Sequence, residues 1–290
     1  MALEAVVRDL ALVLGAMLFT AIIVIVGPRR FVRALSELRW RAKAAAVSVG
    51  LLLTVLLIRV LGSDLLHLLQ IRVFGRNITG NIHRIEQTLF PVNPVIYLQG
   101  LAVEPLTSYF VFIYIYGYAF LLLFPLIAYF SLRKMDRFTS LMLAFTANYA
   151  IGLVFYTIFI AYGPRNQIPI EVAHLLYDAY PQSRFLTNEV NQNTNVFPSL
   201  HTSLSMTVFF MAWITRDEYP VWLPIAGVLA LSVLVSTMYL GIHWFSDVVA
   251  GTLLAALSVY IGVNYNLDGV QRSISAFVKT HVQPRMQRSS

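Results

Sequence analysis

The chain reads Asn-Val-Phe-Pro-Ser-Leu-His-Thr at Asn195–Thr202 and Ser-Thr-Met-Tyr-Leu-Gly-Ile-His-Trp-Phe-Ser-Asp at Ser236–Asp247. Each stretch places a histidine, His201 or His243, at the edge of a strongly apolar run. The second stretch adds Asp247 four residues after its histidine, and residues at that spacing share one face of a helix. The two stretches therefore predict apolar helices whose ends carry imidazole and carboxylate groups where membrane meets water.

The composition is that of a protein embedded in a membrane. Of 290 residues, 58% are hydrophobic and 12% are charged, and the mean hydropathy is +0.70, whereas a soluble domain carries about 25% charged residues. The absence of cysteine excludes disulfides, zinc–thiolate sites and thiol catalysis. The net charge of +7 comes from short clusters between apolar runs, which are typical of topology signals rather than of nucleic-acid binding.

Seven apolar stretches approach the length that crosses a bilayer of about 30 Å. They are Leu10–Val26, Ala44–Leu61, Ser108–Phe130, Leu141–Ala161, Pro198–Ile214, Val221–Leu240 and Val248–Val263. We therefore predict one all-α integral membrane domain over residues 1–290, a polytopic bundle of six to seven transmembrane helices. Residues 108–263 are predicted to supply the catalytic helices.

The basic residues predict the orientation of this bundle. Four regions that fall on one side of a seven-span arrangement hold 14 of the 21 basic residues. These 14 residues are Arg29, Arg30, Arg33, Arg39, Arg41, Lys43, Arg133, Lys134, Arg137, Arg216, Arg272, Lys279, Arg285 and Arg288. The positive-inside rule assigns them to the cytoplasm, together with the basic tail at 264–290. The N-terminus and both histidine motifs are then predicted on the extracytoplasmic side of the cell membrane.

The segment 62–107 is too long for a plain loop. It mixes apolar and basic residues and then contains Pro91, Pro94 and Pro105. One or two helices lying in the membrane interface account for this pattern. A loop packed on the spans accounts for it equally well.

The pair His243 and Asp247 favours covalent catalysis. A carboxylate bonded to one imidazole nitrogen fixes the tautomer and leaves the other nitrogen free to attack. A histidine that attacks phosphorus in this way forms a phosphohistidine. The structural alternative is a histidine at the membrane interface that a nearby aspartate caps.

The stretch around Pro198 predicts a phosphate cradle. Proline suits the first turn of a helix, where its missing N–H costs nothing, and the free N–H groups of that turn bind anions. Ser199 adds a hydroxyl, and His201 is placed to protonate a leaving alkoxide and then to deprotonate an acceptor. Alternatively, a membrane helix begins with Pro-Ser and His201 is an ordinary polar residue at the interface.

Together the two stretches resemble the type 2 phosphatidic acid phosphatase superfamily, which also includes the vanadium haloperoxidases. The second signature of that superfamily is Pro-Ser-Gly-His, and the third is Ser-Arg, five residues, His, three residues, Asp. The resemblance implies a six-helix catalytic core, metal-independent phosphoryl transfer without a cofactor, and a lipid phosphate as substrate. It implies that His243 is the nucleophile, Asp247 its partner and His201 the general acid and base. Ser199 would be a phosphate ligand, and we place Leu200 beside it.

The departures from the signatures point to one branch of the superfamily. Leu200 replaces the signature glycine, Thr237 replaces the signature arginine, and the first signature (Lys, six residues, Arg-Pro) is missing in that form. The resulting pattern resembles the branch that contains the fungal inositol phosphorylceramide synthases. That resemblance raises the possibility of a phosphotransferase, which would move a phospho-headgroup onto an alcohol such as inositol instead of onto water.

A phosphate dianion needs cations, and arginine suits it through bidentate pairing. Arg165 follows the fourth span, where the first signature would fall, and Arg184 lies in the same connection. Arg59 lies at the end of the second span, where a charge is costly enough to indicate a role, although a side chain that reaches to the interface explains it without one. Four further histidines match no motif and are interpreted as ordinary loop residues: His67, His83, His174 and His281.

The sequence therefore predicts a membrane phosphatase or headgroup phosphotransferase whose partners are a lipid phosphate and membrane lipid. The alternatives are a transporter or a lipid-phosphate binding protein that does not turn its ligand over. No metal site, cofactor or nucleic-acid partner is predicted, and the oligomeric state is left open.

Overall fold

The computed structural model describes residues 2–182 and 194–265. Its α-helices are Ala2–Ala21 (α1), Pro28–Ser36 (α2), Leu38–Leu61 (α3), Ser63–Leu69 (α4), Thr79–Leu89 (α5), Pro94–Gln99 (α6), Glu104–Phe112 (α7), Tyr118–Phe130 (α8), Asp136–Ile158 (α9), Pro164–Gln167 (α10), Leu175–Ala179 (α11), Leu200–Ile214 (α12), Trp222–Tyr239 (α13) and Phe245–Asn264 (α14). π-Helical turns follow α1, α4 and α7 at Ile22–Val26, Gln70–Phe74 and Ile113–Gly117, and the strands are Arg76–Asn77 (β1) and Phe159–Ile160 (β2).

Six helical segments in the described part of the chain are long and apolar enough to span a membrane, which confirms the all-α polytopic fold. They are Val7–Val26, Leu38–Leu61, Glu104–Phe130, Asp136–Ile158, Trp222–Tyr239 and Phe245–Asn264. The seventh predicted span, α12, has 15 residues and is therefore about 22 Å long. It packs against α8, α9, α13 and α14, so protein surrounds it.

The interior of the bundle explains why α12 tolerates hydroxyl groups. Thr202, Ser203, Ser205 and Thr207 are fully buried on it. Small side chains let neighbouring helices approach closely, and the hydroxyl groups of Ser203 and Thr207 bond to Asn148 on α9. The helix is thus a packed core element, and its length is not set by the thickness of a bilayer.

Three connections of the predicted cytoplasmic side meet at one end of the bundle. The buried Arg41 donates through Nη1 to the carbonyl oxygens of Phe130 and Leu132, both at 2.6 Å. Arg30 donates to the carbonyl oxygen of Glu218 at 3.4 Å. The orientation of this end toward the cytoplasm stays a prediction.

The segment 62–107 lies at the other end, against the C-terminal end of α9. The strand β1 pairs in parallel with β2. The buried amide of Gln70 donates to the carbonyl oxygens of Tyr156 at 2.7 Å and Phe159 at 3.1 Å. The segment contains the helices α4, α5 and α6, and their placement in a membrane interface stays a prediction.

Candidate active site

The two histidines of the sequence motifs converge at the end of the bundle that carries the segment 62–107. The ring centroids of His201 and His243 lie 5.8 Å apart, with their planes tilted by 58°. His201 lies in the first turn of α12, and His243 lies in the turn between α13 and α14. Both line one cavity of about 660 Å³.

The turn that presents His243 is held by Thr237. The carbonyl oxygen of Thr237 accepts the backbone N–H groups of Ile242 at 2.9 Å and His243 at 3.1 Å. The Thr237 hydroxyl donates to the carbonyl oxygen of Leu234, and the residue is fully buried. Thr237 therefore supports the turn through its backbone and supplies no cation where the superfamily signature has arginine.

Asp247 lies directly behind His243. It is fully buried as the third residue of α14, and its Oδ2 accepts the backbone N–H of Trp244 at 2.8 Å. The same oxygen lies 3.5 Å from Nδ1 of His243. Within the described residues, Nδ1 of His243 and Oδ1 of Asp247 have no hydrogen-bond partner, so the two groups are free to bond to each other.

The environment keeps the His243 imidazole neutral. Burial lowers the pKa of His243 to about 3, a hydrogen bond with the Val196 backbone raises it, and the Arg165 charge lowers it. A neutral imidazole retains the lone pair that a nucleophile needs.

Ser199 caps the helix that carries His201. The helix begins at Leu200, with Ser199 as its N-cap, so the expectation that Pro198 lies in its first turn was wrong. The Ser199 hydroxyl accepts the N–H of Thr202 at 3.2 Å. The backbone N–H of Ser199 donates to the carbonyl oxygen of Asp247 at 3.1 Å, which joins α12 to α14.

The phosphate-binding roles of Ser199 and Leu200 stay predictions. Ser199 is fully buried and is not among the described residues that line the cavity, whereas Leu200 is one of them. The His201 ring lies against the rings of Tyr114 and Tyr118, with centroid distances of 5.0 and 4.9 Å. These two tyrosines fix the direction of the imidazole.

Arg165 reaches the cavity from the connection after α9. Its backbone N–H donates to the carbonyl oxygen of Gly241 at 3.1 Å. Its guanidinium carbon lies 4.8 Å from the centre of the Tyr177 ring, and Nη2 donates to the Tyr177 hydroxyl at 3.2 Å. Nη1 is buried without a hydrogen-bond partner in the described part of the chain. An anion in the cavity would satisfy it.

A second guanidinium lines the same cavity. Arg59 comes from the last turn of α3, and its guanidinium carbon lies 5.7 Å from the centre of the Tyr149 ring. Among the described residues, those that line the cavity include Arg59 and Arg165 but no Asp or Glu. This described part of the lining is therefore cationic, as a phosphate site requires. Arg184, the second predicted cation, lies outside the described residues.

Several lining residues were not predicted from the sequence. They are His67, Gln70, Tyr118, Tyr149, Tyr156, Asn166 and Asn195. The interpretation of His67 as an ordinary loop residue was wrong, because it lies in α4 and lines the cavity. His83 is likewise helical, in α5, and packs on Trp244 with a centroid distance of 5.3 Å. The 15 tyrosines of the chain were a sequence signal only for the tyrosines among these additional lining residues.

The described residues place no three His, Cys, Asp or Glu side chains together where they could hold a metal ion. Metal independence stays a prediction, because this observation concerns only residues 2–182 and 194–265. Among the described residues, the permanent positive charges that line the cavity are those of Arg59 and Arg165.

The comparisons with known proteins agree with this geometry. An uncharacterized protein from Methanocaldococcus jannaschii is 26% identical over 197 residues, which cover 65% of this chain and 73% of the relative. No solved structure matches the chain. The family model of the PAP2 superfamily matches residues 80–261, which include both histidine motifs, Asp247 and Arg165. With more than half of its length matched, the chain belongs to the PAP2 superfamily.

Proposed function

We propose that the protein transfers the phosphoryl group of a lipid phosphate through a phosphohistidine on His243, as a phosphatase or as a headgroup phosphotransferase. The observation that carries this proposal is the convergence of His201 and His243 in a cationic cavity, with Asp247 behind His243. Membership of the PAP2 superfamily supports phosphatase or phosphotransferase activity.

The first step breaks the ester bond. Nε2 of His243 attacks phosphorus while Asp247 accepts a hydrogen bond from the N–H at Nδ1, which keeps its proton, and stabilises the imidazolium that forms. The distance of 3.5 Å between Nδ1 and Oδ2 is longer than an ordinary hydrogen bond, and such contacts tighten when substrate binds. His201 is proposed to carry a proton when the phosphate dianion lies beside it, because an adjacent negative charge favours the imidazolium. It donates that proton to the leaving alkoxide, so the lipid alcohol departs neutral.

The second step regenerates the enzyme. Neutral His201 takes a proton from water or an alcohol, whose oxygen attacks the phosphorus of the phosphohistidine. The P–N bond breaks, and His243 returns to its neutral form. Water gives inorganic phosphate from a monoester, whereas an alcohol gives a new phosphate ester.

Arg165 and Arg59 are proposed to hold the phosphate oxygens. Both line the cavity, and Nη1 of Arg165 is buried without a hydrogen-bond partner among the described residues. Guanidinium groups bind phosphate with paired N–H donors and stabilise the charge that develops in the transition state. Ser199, the backbone of Leu200, and Arg184 remain further candidates.

The lipid character of the substrate is supported by the mixed lining of the cavity. Leu66, Leu122, Leu153 and Leu204 line it together with the charged and polar residues, so an amphiphile has contacts for both of its parts. We place the site on the extracytoplasmic side, because the connections rich in arginine meet at the other end of the bundle and the positive-inside rule assigns that end to the cytoplasm.

The test uses the full chain in detergent with radiolabelled phosphatidic acid. His243→Ala and His201→Ala should each lower the rate by about 100-fold or more, and chelation with EDTA should leave it unchanged. His174→Ala is the matched control, because His174 does not line the cavity. A folded His243→Ala protein that keeps the wild-type rate would contradict the mechanism.

A trapping experiment separates the roles of the two histidines. Acid-labile, alkali-stable label should appear on the wild type during turnover and be absent from His243→Ala. If the wild type binds labelled lipid phosphates but cleaves none of those tested, the binding-protein alternative is correct. Adding inositol or other alcohols then decides the acceptor, because free phosphate as the single product would exclude the transferase.

A further inference from the structure

Glu86 is a buried carboxylate that contacts the catalytic turn from outside it. It lies in α5 and is 0% exposed. Its Oε1 accepts the backbone N–H of Ser246 at 2.8 Å and the Ser246 hydroxyl at 3.0 Å. Its Oε2 accepts Nδ2 of Asn93 at 3.0 Å. No lysine or arginine of the described residues pairs with it.

A buried carboxylate is costly unless its oxygens are hydrogen-bonded. Ser246 is the second residue of α14, so its N–H is one of the first four of a helix, which have no acceptor within that helix. The positive end of the helix dipole also favours a negative group there. Glu86 is therefore satisfied by the terminus of α14 and in turn holds that terminus in place.

Other residues of α5 strengthen the same contact. His83 packs on the Trp244 ring, and Ile82 belongs to the apolar cluster around Trp244. The hydroxyl of Thr79 accepts the backbone N–H of Tyr162 at 3.0 Å. One face of α5 thus touches both connections that lead to the site, the one before Arg165 and the one after His243.

Two carboxylates, those of Asp247 and Glu86, accept different backbone N–H groups at the start of α14. Asp247 accepts the N–H of Trp244, and Glu86 accepts the N–H of Ser246. If Glu86 is removed, the N–H of Ser246 loses its acceptor. The first turn of α14, which carries Asp247, then loses its contact with α5 through Glu86.

We propose that Glu86 is a positioning residue, which fixes the first turn of α14 so that the Asp247 carboxylate stays on Nδ1 of His243. This inference rests on the proposed function of His243 and Asp247. Glu86 does not line the cavity and therefore acts through Ser246 and Asp247.

The first test compares Glu86→Ala with a matched control. A misplacement of up to 1 Å costs about 100-fold in rate, so Glu86→Ala should lower kcat by about 10- to 100-fold with little change in KM. Glu104→Gln is the control, because Glu104 is exposed and accepts a serine hydroxyl, that of Ser108, within its own helix. Glu104→Gln should keep the wild-type kcat and KM.

A swap of hydrogen-bonding groups tests the contact itself. In Glu86→Gln the amide oxygen still accepts from Ser246, but the amide N–H₂ faces Nδ2 of Asn93, which is also a donor. Adding Asn93→Asp turns that donor into an acceptor, and the new carboxylate can still accept the N–H of Val95, as Asn93 does at 2.9 Å. The double variant should therefore have a higher kcat than either single variant. A double variant no better than Glu86→Gln would overturn the proposal.

A spectroscopic readout separates this proposal from the proposed function. With ¹⁵N-labelled histidine, the ring nitrogens of His243, assigned with His243→Gln, should shift in Glu86→Ala and stay in place in Glu104→Gln. If the wild type cleaves no lipid phosphate, the proposed function fails, while a shifted His243 signal still supports positioning by Glu86. A folded Glu86→Ala protein is recognised by a wild-type elution volume and a cooperative thermal transition. If the His243 signals of that folded protein are unchanged, the positioning role of Glu86 is refuted.

Discussion

Replacing Gly251 with alanine should separate the two helices that carry His201 and Asp247. Gly251 lies on α14 one turn after Asp247, and it faces the start of α12. A Cβ at this position would lie 2.5 Å from the carbonyl oxygen of Ser199 and 3.1 Å from Cβ of Thr202. The hydrogen bond from Ser199 to the carbonyl of Asp247 lies in the same contact, so the substitution acts where the two helices meet.

The size of the effect follows from that distance. Carbon and oxygen normally approach to about 3.3 Å, so the helices must part by about 0.8 Å, because the Ser199 oxygen belongs to the backbone and cannot rotate away. Overpacking of this kind costs about 1–3 kcal/mol of stability. A displacement approaching 1 Å between the imidazole groups should lower kcat by about 10- to 100-fold.

The assay is the release of phosphate from a lipid phosphate, together with thermal unfolding in detergent. Gly50→Ala on α3 is the matched control, because no atom lies within 4 Å of a Cβ there, and alanine favours a helix by up to about 1 kcal/mol over glycine. Gly251→Ala should lower kcat more than it changes KM, because the proposed phosphate-binding residues Arg59 and Arg165 lie on other elements. A Gly251→Ala protein with wild-type kcat and melting temperature would refute this reasoning.

Three further predictions concern single side chains. Arg165→Lys should lower kcat/KM by about 10- to 100-fold in initial-rate assays, because lysine cannot contact both Tyr177 and a phosphate with a planar fork. Asn148→Ala should lower the free energy of unfolding by about 1–3 kcal/mol in denaturant titrations, because fully buried Asn148 donates to Thr207 at 2.8 Å and accepts from Ser203. His243 has a pKa lowered by burial from 6.5 to about 3, so the unfolded chain binds a proton that the folded protein does not. The melting temperature of the wild type should therefore fall relative to that of His243→Gln as the pH drops from about 6.5 toward 3.

The spans could be predicted from the sequence because apolar runs of membrane length are a local pattern. The element that departs from this pattern is α12, which was predicted as a seventh span and has 15 residues. Hydropathy does not distinguish a helix that faces lipid from one that other helices surround. Helices that are distant in the sequence surround α12, so its length need not match the thickness of a bilayer. This packing cannot be predicted from a local pattern.

In the candidate site, too, local patterns could be predicted from the sequence and contacts between distant elements could not. His243 and Asp247 could be predicted as a pair because four residues separate them on one helix end. His67, Gln70 and Tyr149 could not be assigned to the site, since each is a single residue on a different element and no spacing relates it to the motifs. Arg59 could be singled out as a costly charge at the end of a span, but its place beside the histidines could not be predicted. The cavity is formed only when the end of α3, the turn after α4 and the helix α9 pack together.

Leu200, the departure from the superfamily signature, is accommodated by the helix opposite it. The Leu200 side chain packs with Tyr156 and Leu254, and it lies against Gly152 on α9. A Cβ at Gly152 would be 2.8 Å from Cδ2 of Leu200, so a side chain at residue 152 would collide with leucine at residue 200. Glycine at residue 152 thus leaves the space that the leucine side chain at residue 200 fills. The packing of α9 therefore accommodates leucine at this position of the signature.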